Sequence, residues 1–320
     1  MKKLIAAFLR KISSRLEGHE PQELNKIREK YTVQEVVEIK KKIKGKKLSK
    51  DGKSEVRSIS ASYRDMIEIM EVPFLALSKN RKNPIVYESE DGRIKVRVSR
   101  HTGHFLASIY DWDIILFVAS KMQEIMNSGY DIPPRTIIFP RHKILKALHR
   151  HDVKKQKRDL ENSLSRLQLT GIETTIRNED SRYKAGFGFL DSWSHTDRKD
   201  IKEIAITLSQ WLYDGICAQG NLLKVDPTYF DLKSAIKRFL YRTARKHVGN
   251  NKKNWEFSIE KLYEKSGSER ELRKFKSDLK VAVLDNDIPN YSLQWVKRDR
   301  KEFVSFKSLQ TQEIETVLLL

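Results

Sequence analysis

The sequence predicts an α+β fold with two tandem winged helix-turn-helix modules behind a helical N-terminal extension. One order of elements, namely helix, strand, helix, basic helix and hairpin, is found twice along the chain. In each copy the basic helix has apolar residues at helical spacing on one face and cations on the other. The net charge is +20 at pH 7, which predicts a polyanionic partner, nucleic acid before an anionic membrane surface.

Length and composition restrict the number of domains, the cellular compartment and the membrane segments that the chain can have. The 320 residues have room for two compact domains and an appendage, and 39% hydrophobic residues are enough for real cores. The single cysteine, Cys217, cannot form an internal disulfide and fits a reducing, cytoplasmic compartment. The apolar run at residues 4–9 is too short for a signal peptide, and no run is long enough to span a membrane.

Composition shifts also predict the domain boundaries. Residues 1–44 predict a basic helical extension, and residues 45–62, rich in Gly, Ser and Lys, predict a flexible linker. We expect the first winged-helix domain at residues 63–229, the second at 230–307 and a tail at 308–320. The extension is open to three interpretations: a partner or dimerisation helix, a membrane-surface helix, or an appendage packed on the body.

The basic helix of the first module lies in residues 141–171, which read as a short helix, a tight turn and a longer helix. Residues 141–158 of this stretch hold eight Lys or Arg, three His and one acid. Its predicted inward stripe is Val153, Leu160, Leu164 and Leu167. Arg158 and Asn162 lie four residues apart on the outward face, where Arg can read guanine, Asn can read adenine and lysines hold phosphate. The alternative is a charged face that is only solvated. The predicted DNA-contacting residues of this helix are His151, Lys154, Lys155, Arg158, Asn162 and Ser165.

Alternation at residues 172–178 and 183–193 predicts a hairpin directly after this helix. In a winged helix-turn-helix the hairpin lies on DNA backbone beside the groove that the second helix enters. We therefore expect backbone contacts from the basic residues near its turn, which are Arg177, Arg182 and Lys184.

The second copy begins with a strand at residues 255–259 and a short helix. Ser268, with Glu271 three residues on, predicts a capping box that opens the second basic helix. The outward residues of that helix are predicted to be Arg270, Arg273, Lys274 and Ser277. A hairpin at residues 291–297 and 303–307 has a basic turn region formed by Lys297, Arg298, Arg300 and Lys301. The two copies agree in element order and polarity, with little identity.

Catalytic and metal motifs give weaker signals. A nicking enzyme needs a His-hydrophobe-His pair on a strand and a nucleophilic tyrosine, but His149 and His151 flank an arginine between two helices, and Tyr241 lies beside a core stripe. No Gly-rich phosphate loop is present.

Asp111 and Asp113 fit a helix cap and first-turn acid better than a metal pair. His101 and His104 have zinc-like spacing but no ligand partners in sequence, which favours exposed loop histidines. We expect no enzyme activity, no metal and no cofactor.

Residues 72–250 resemble the plasmid replication initiator protein A family, which is related to iteron-binding initiators. The resemblance rests on the order and spacing of VPFLALSKNRKNPIVYES, IKVRVS, YDWDIILFVAS, the IIFPRHKILKALHR block, LSRLQLTGIETTIR, FGFLDSW and RFLYRTARKHVG. It implies two winged-helix domains that bind repeats at a plasmid origin, with the first base-contacting helix at residues 153–169. It also implies contacts with the host initiator and the replicative helicase, repression of the initiator's own promoter, and a monomer–dimer equilibrium. Residues 251–307 match loosely, and residues 1–62 do not match.

We therefore expect a non-enzymatic, sequence-specific double-stranded DNA-binding protein that initiates plasmid replication at direct repeats. Three other classes stay open at this point. They are a winged-helix repressor that binds a palindrome as a dimer, a nicking enzyme, and a membrane-associated protein.

Overall fold

The computed structural model describes residues 63–127, 132–177, 184–198, 201–249 and 254–309. The predicted extension (1–44), the linker (45–62) and all but the first two residues of the tail (308–320) lie outside these described residues. Residues 63–309 fall within one compact unit.

Helices and strands alternate along the described chain, with no long segment of one type. The first elements are β1 (Tyr63–Met66), α1 (Ile67–Glu71), β2 (Ile85–Glu88), β3 (Lys95–Arg100), α2 (Asp113–Asn127), β4 (Thr136–Pro140), α3 (Arg141–Ala147) and α4 (Lys154–Gln168). Then follow β5 (Thr170–Thr174), β6 (Ala185–Gly188), β7 (Leu190–Arg198), β8 (Ile201–Leu208), α5 (Gln210–Cys217), β9 (Leu222–Val225) and a 3₁₀ helix (Pro227–Asp231). The last elements are α6 (Ala235–His247), β10 (Asn254–Ser258), α7 (Ile259–Ser266), α8 (Leu272–Asp285), β11 (Tyr291–Arg298) and β12 (Lys301–Ser308).

The strands of the described residues form four antiparallel sheets, so the fold is α+β as the sequence predicts. Their orders are β1-β9, β2-β3-β5-β6, β4-β8-β7 and β10-β12-β11. Two of the sheets have the same topology. In each, the strand before a pair of helices (β4 or β10) pairs with the last strand (β8 or β12) of the hairpin that follows those helices. We call α2, β4, α3, α4, β7 and β8 the first module, and α6, β10, α7, α8, β11 and β12 the second module.

The hairpin of the first module is not the one that the sequence predicts. β5 and β6 do pair, with Gly171 opposite Gly188, but they belong to the sheet of β2 and β3. The chain then changes sheets at the fully buried Phe189, and β7 and β8 form the hairpin that joins β4. The alternation of apolar residues with period two continues through Phe189. The sequence pattern therefore gives no sign that the chain passes from one sheet to another at this residue.

Helix α4 packs through the predicted stripe, with one exception. Leu160, Leu164 and Leu167 have no exposed surface, whereas 52% of Val153 is exposed. Val153 is the N-cap residue with extended backbone (φ −112°, ψ 157°), so the helical spacing on which its predicted inward position rests does not apply to it. The helix ends at Gln168, where Leu169 donates its backbone N–H to the Ser165 carbonyl.

Two predicted helix caps are wrong in detail. The carboxylate of Asp111 accepts hydrogen bonds of 2.8 Å from the backbone and hydroxyl of Ser108, and it pairs with Arg166 instead of capping α2. At α8 the helix begins at Leu272, and its N-cap residue Glu271 makes no side-chain cap. Ser268 instead accepts a hydrogen bond from the Arg270 backbone within the preceding turn.

Buried ion pairs join the second module to α2 of the first module and to β1. Arg238 on α6 donates to both carboxylate oxygens of Asp113 on α2, at 2.6 and 2.8 Å. One turn later Arg242 donates to Asp65 on β1. The four side chains are 7% exposed or less. Since a buried charge without its partner is strongly destabilising, these pairs hold α6 in one position on α2 and β1.

Candidate nucleic-acid interface

The outward face of α4 presents hydrogen-bond donors that have no partner among the residues that the structure describes. Lys154, Lys155, Arg158 and Asn162 are exposed, and Ser165 is partly exposed beside them. Among the described residues these five side chains make no ion pair and no side-chain hydrogen bond. By contrast, Arg166 on the flank of the same helix is 20% exposed and donates to Asp111 at 2.7 and 2.9 Å. The outward face is therefore free to meet an external ligand.

Arg158 and Asn162 occupy the centre of this face. They lie one helical turn apart, opposite the stripe of Leu160, Leu164 and Leu167, so both project in the same direction. A guanidinium and an amide side by side match the edges of guanine and adenine in the major groove. Lys154 and Lys155 lie at the start of the helix, where two point charges suit phosphate.

The turn between α3 and α4 is fixed by charge pairs. Arg141, which is 8% exposed, donates its Nε to Asp152 at 3.1 Å. His149 has a positive φ of 54°, and its Nδ1 lies 2.9 Å from the Asp231 carboxylate. His151 is exposed next to α4. Across the described part of the chain no group of His, Cys, Asp and Glu has the arrangement of a metal site.

The hairpin of β7 and β8 lies along α4. His195 on β7 approaches Glu161 of α4 at 3.3 Å, and Gln168 donates to the Asp191 carbonyl at 3.1 Å. Residues 199–200 between the two strands lie outside the described residues, and Lys202 is exposed near the start of β8. Sequence reasoning missed this hairpin, although the charged turn at residues 197–200 followed by the alternating strand of β8 was a signal for it.

The residues predicted for the first wing are not brought together beside α4. Arg177 holds the fold together: its Nε donates to Glu68 at 2.7 Å, and its guanidinium stacks 3.8 Å from the ring centre of Trp211. It also fills the space beside Gly215, where any Cβ would overlap it. Arg182 lies outside the described residues, and Lys184 is exposed before β6. The donors of Arg177 are thus used inside the protein, and its contact with DNA stays a prediction.

Helix α8 presents a mixed outward face. Arg273, Lys274 and Ser277 are exposed as predicted, while the guanidinium of Arg270 pairs with Asp278. Lys280 is exposed further along the helix and was not predicted. The second half of the face is apolar, with Val281 56% and Leu284 73% exposed. The cations of α8 therefore lie in its first two turns and at Lys280.

The second hairpin places its predicted residues together. Lys297, Arg298, Arg300 and Lys301 are all exposed around a two-residue turn, with Arg298 opposite Lys301 and Asp299 at a φ of 52°. Arg298 also pairs with Glu256 of β10 at 2.8 Å, and Lys297 lies opposite Glu302 across the two strands. Arg300 and Lys301 therefore remain at the tip without an acidic partner among the described residues.

Comparison with known proteins decides the family. The family model named replication initiator protein A matches residues 64–293, which reaches from β1 into β11. The chain belongs to the replication initiator protein A family. A putative replication protein of Wigglesworthia glossinidia brevipalpis is 32% identical over 240 residues, covering 73% of this chain and 86% of that protein. The resemblance stated from the sequence is thereby confirmed.

Solved structures show a similar fold. Two crystal structures of domains 2 and 3 of RctB match with TM-scores of 0.57 and 0.52. They cover 76% and 75% of this chain and 98% and 96% of the RctB chains, at 11% identity. At that identity the likeness concerns the fold. In the described part of the chain no helix is long and apolar enough to cross a bilayer.

Proposed function

We propose that this replication initiator binds direct repeats in double-stranded DNA at a plasmid origin through two winged-helix modules. In the proposal α4 and α8 enter successive major-groove segments, and the β7-β8 and β11-β12 hairpins lie on the adjacent backbone. The family supports a role in starting replication. DNA is the partner that suits a net charge of +20.

One observation supports this proposal above the others. The same strand, helix, helix and hairpin arrangement is found twice, and each copy presents exposed cations on its second helix. The buried pairs of Arg238 with Asp113 and Arg242 with Asp65 hold α6 of the second module against α2 and β1. A fixed spacing between two DNA-contacting helices suits a repeat of fixed length, since each repeat can be occupied by one chain.

Footprinting on the DNA that flanks the gene tests the proposal. We expect protection of several direct repeats by the full chain. If eight to ten phosphates are contacted, log affinity falls against log salt with a slope of about −7 to −9. A single protected palindrome would favour the alternative, which is a winged-helix repressor that binds as a dimer. A salt slope near −2 would contradict docking by both modules.

We propose that the chain is not a nicking enzyme. Tyr241, the candidate nucleophile, is 1% exposed, and its hydroxyl accepts a hydrogen bond of 2.7 Å from the Asp226 backbone. Burial raises the pKa of this phenol, so the nucleophilic phenolate is disfavoured. The test is incubation with supercoiled origin DNA and Mg²⁺, from which we expect neither a nick nor a covalent phosphotyrosyl adduct.

The family resemblance supports further partners for the proposal. These are the host initiator, the replicative helicase, the chain's own promoter and a second copy of the chain, with the protein acting on plasmid DNA in the bacterial cytoplasm. Co-purification of the full chain with each host protein, with and without repeat DNA, tests the first two. Sedimentation of the free and DNA-bound chain tests the monomer–dimer equilibrium.

A further inference from the structure

We propose that two loops between α4 and α8, residues 78–83 and 100–104, form a phosphate-binding bridge that contacts the DNA backbone between the two major-groove segments. This inference rests on the proposed function and adds a third contact region to it, which neither base-contacting helix nor hairpin includes. The ligand is the sugar-phosphate backbone, and the contact is independent of base sequence.

Backbone hydrogen bonds place the loops between the two helices. The N–H of His101 donates at 2.9 Å to the carbonyl of Leu169, the residue that ends α4. Leu106 donates at 3.0 Å to the Arg81 carbonyl, and Arg100 donates its Nε at 3.0 Å to the Lys82 carbonyl. The two loops are thus packed on each other, and one of them touches the C-terminal end of α4.

Arg81 connects the loops to the segment that opens α8. It is 6% exposed, donates to the carbonyls of Asn83 and Pro84 at 2.9 and 3.0 Å, and also donates to the carbonyl of Gly267. Gly267 ends α7 with a φ of 57°, five residues before α8 begins. A Cβ at Gly267 would lie 2.7 Å from Pro73, so the close approach of this turn to the segment after α1 requires glycine. The path from α4 to α8 is therefore continuous and fixed.

The loops expose basic side chains that have no acidic partner among the described residues. Lys79, Lys82, His101 and His104 are exposed and Arg100 is partly exposed. Within the described residues none of these five makes an ion pair. Lysines elsewhere on the surface do find carboxylates, as Lys95 does with Glu88 and Lys121 with Glu124.

Aromatic rings position the two lysines at the surface. The Nζ of Lys79 lies 4.5 Å from the ring centre of Tyr110, and the Nζ of Lys82 lies 5.7 Å from that of Phe105. Such contacts restrict the lysine stems while the ammonium donors stay available to solvent. A cluster of positioned cations between two DNA-contacting helices suits the phosphates that pass between two grooves.

The test compares two double variants of the full chain that remove the same net charge. The test variant is K79Q/K82Q. The control is K95Q/K121Q, in which both lysines already have carboxylate partners and Lys95 lies at the far end of β3 from Arg100. Binding is measured on a duplex from the flanking DNA with the footprinted repeat, and on a scrambled duplex of equal length, over a range of salt. Thermal unfolding confirms that each variant is folded.

We expect K79Q/K82Q to lose about tenfold in affinity on both duplexes and to reduce the salt slope by about two, because each lost phosphate contact removes about 0.9. Its preference for the repeat over the scrambled duplex stays unchanged. The control keeps the wild-type slope within about half a unit.

Uncharged methylphosphonate linkages locate the contact. Two of them between the protected major-groove segments should weaken binding by the wild type and the control but not weaken K79Q/K82Q further. If K79Q/K82Q matches the control in slope, or loses affinity to the modified duplex as the wild type does, the bridge is wrong and the proposed function stands. If the wild type shows no preference for a repeat, the proposed function fails, and the bridge fails with it.

Discussion

The Nε of Arg242 on α6 donates a 2.7 Å hydrogen bond to Asp65 on β1, and the Asp65 side chain has no exposed surface. Asp65 also accepts hydrogen bonds of 2.8 Å from the indole of Trp112 and from the Met66 backbone. Three donors from different parts of the chain therefore meet at one carboxylate. This carboxylate joins the second module to the start of the compact unit.

Arg242→Met should strongly destabilise the protein. The substitution leaves the Asp65 charge buried without its cation, which costs about 3–5 kcal/mol in other proteins. Urea unfolding of the full chain measures the loss in the free energy of unfolding. The matched control is Lys121→Met, which breaks the exposed pair with Glu124 and should cost at most about 1 kcal/mol. Equal losses in the two variants would mean that the Arg242–Asp65 pair does not hold α6 on β1.

Arg158→Ala should weaken binding to the repeat by about 1–3 kcal/mol and relax the preference at one base position. The reason is that a guanidinium with no partner in the described part of the chain can contact guanine through two hydrogen bonds. Lys154→Ala, on the same helix, should weaken binding to all sequences alike, because a lysine at the helix start contacts phosphate. Competition binding against a library of single-base variants of the repeat separates the two. If both substitutions act uniformly, Arg158 does not contact a base.

The sequence predicted the elements of α4 and α8 well because helical spacing of apolar residues is a local signal. Leu160, Leu164 and Leu167 have no exposed surface, as their spacing requires, and Arg158 and Asn162 lie on the free outward face. The repeated element order was also visible in local patterns.

What the sequence did not show depends on partners distant in the chain. Arg177 looked like a wing residue because it is basic and near a turn, but its partner Glu68 lies 109 positions earlier. The hairpin was misplaced since β6 and β7 are adjacent in sequence yet pair in different sheets. Arg81 was not noticed, because the carbonyl of Gly267 that it binds lies 186 positions away.

Lys202→Gln should change DNA binding but not stability, and Arg177→Ala should change stability but not DNA binding, since only Lys202 lies in the hairpin beside α4. Lys202→Gln should reduce the salt slope of DNA binding by about one and leave the free energy of unfolding within about 0.5 kcal/mol. Arg177→Ala should lower the free energy of unfolding, because it removes the Glu68 pair and the stacking on Trp211, and leave the salt slope unchanged. Salt titrations and urea unfolding of both variants provide the two readouts. A reduced slope for Arg177→Ala with wild-type stability would instead support Arg177 as a wing residue that contacts DNA.

The stability of the protein should increase between about pH 8 and pH 9.5 because of two buried lysines. Burial lowers the pKa of Lys246 and of Lys265 to about 8, from the usual 10.5. Both side chains lie against Glu71, and Lys265 donates to its carboxylate at 2.6 Å.

In this window the folded chain has released protons that the unfolded chain still binds, so the free energy of unfolding rises with pH, and the gain is lost as pH falls to about 8. A rise of about 1–2 kcal/mol is expected by urea unfolding, before buried tyrosines such as Tyr241, whose pKa is raised, oppose it at higher pH. Lys265→Met should remove about half of the rise, whereas Lys121→Met, which alters an exposed pair, should retain all of it. A pH-independent stability in the wild type would show that both lysines keep their protons, held by Glu71.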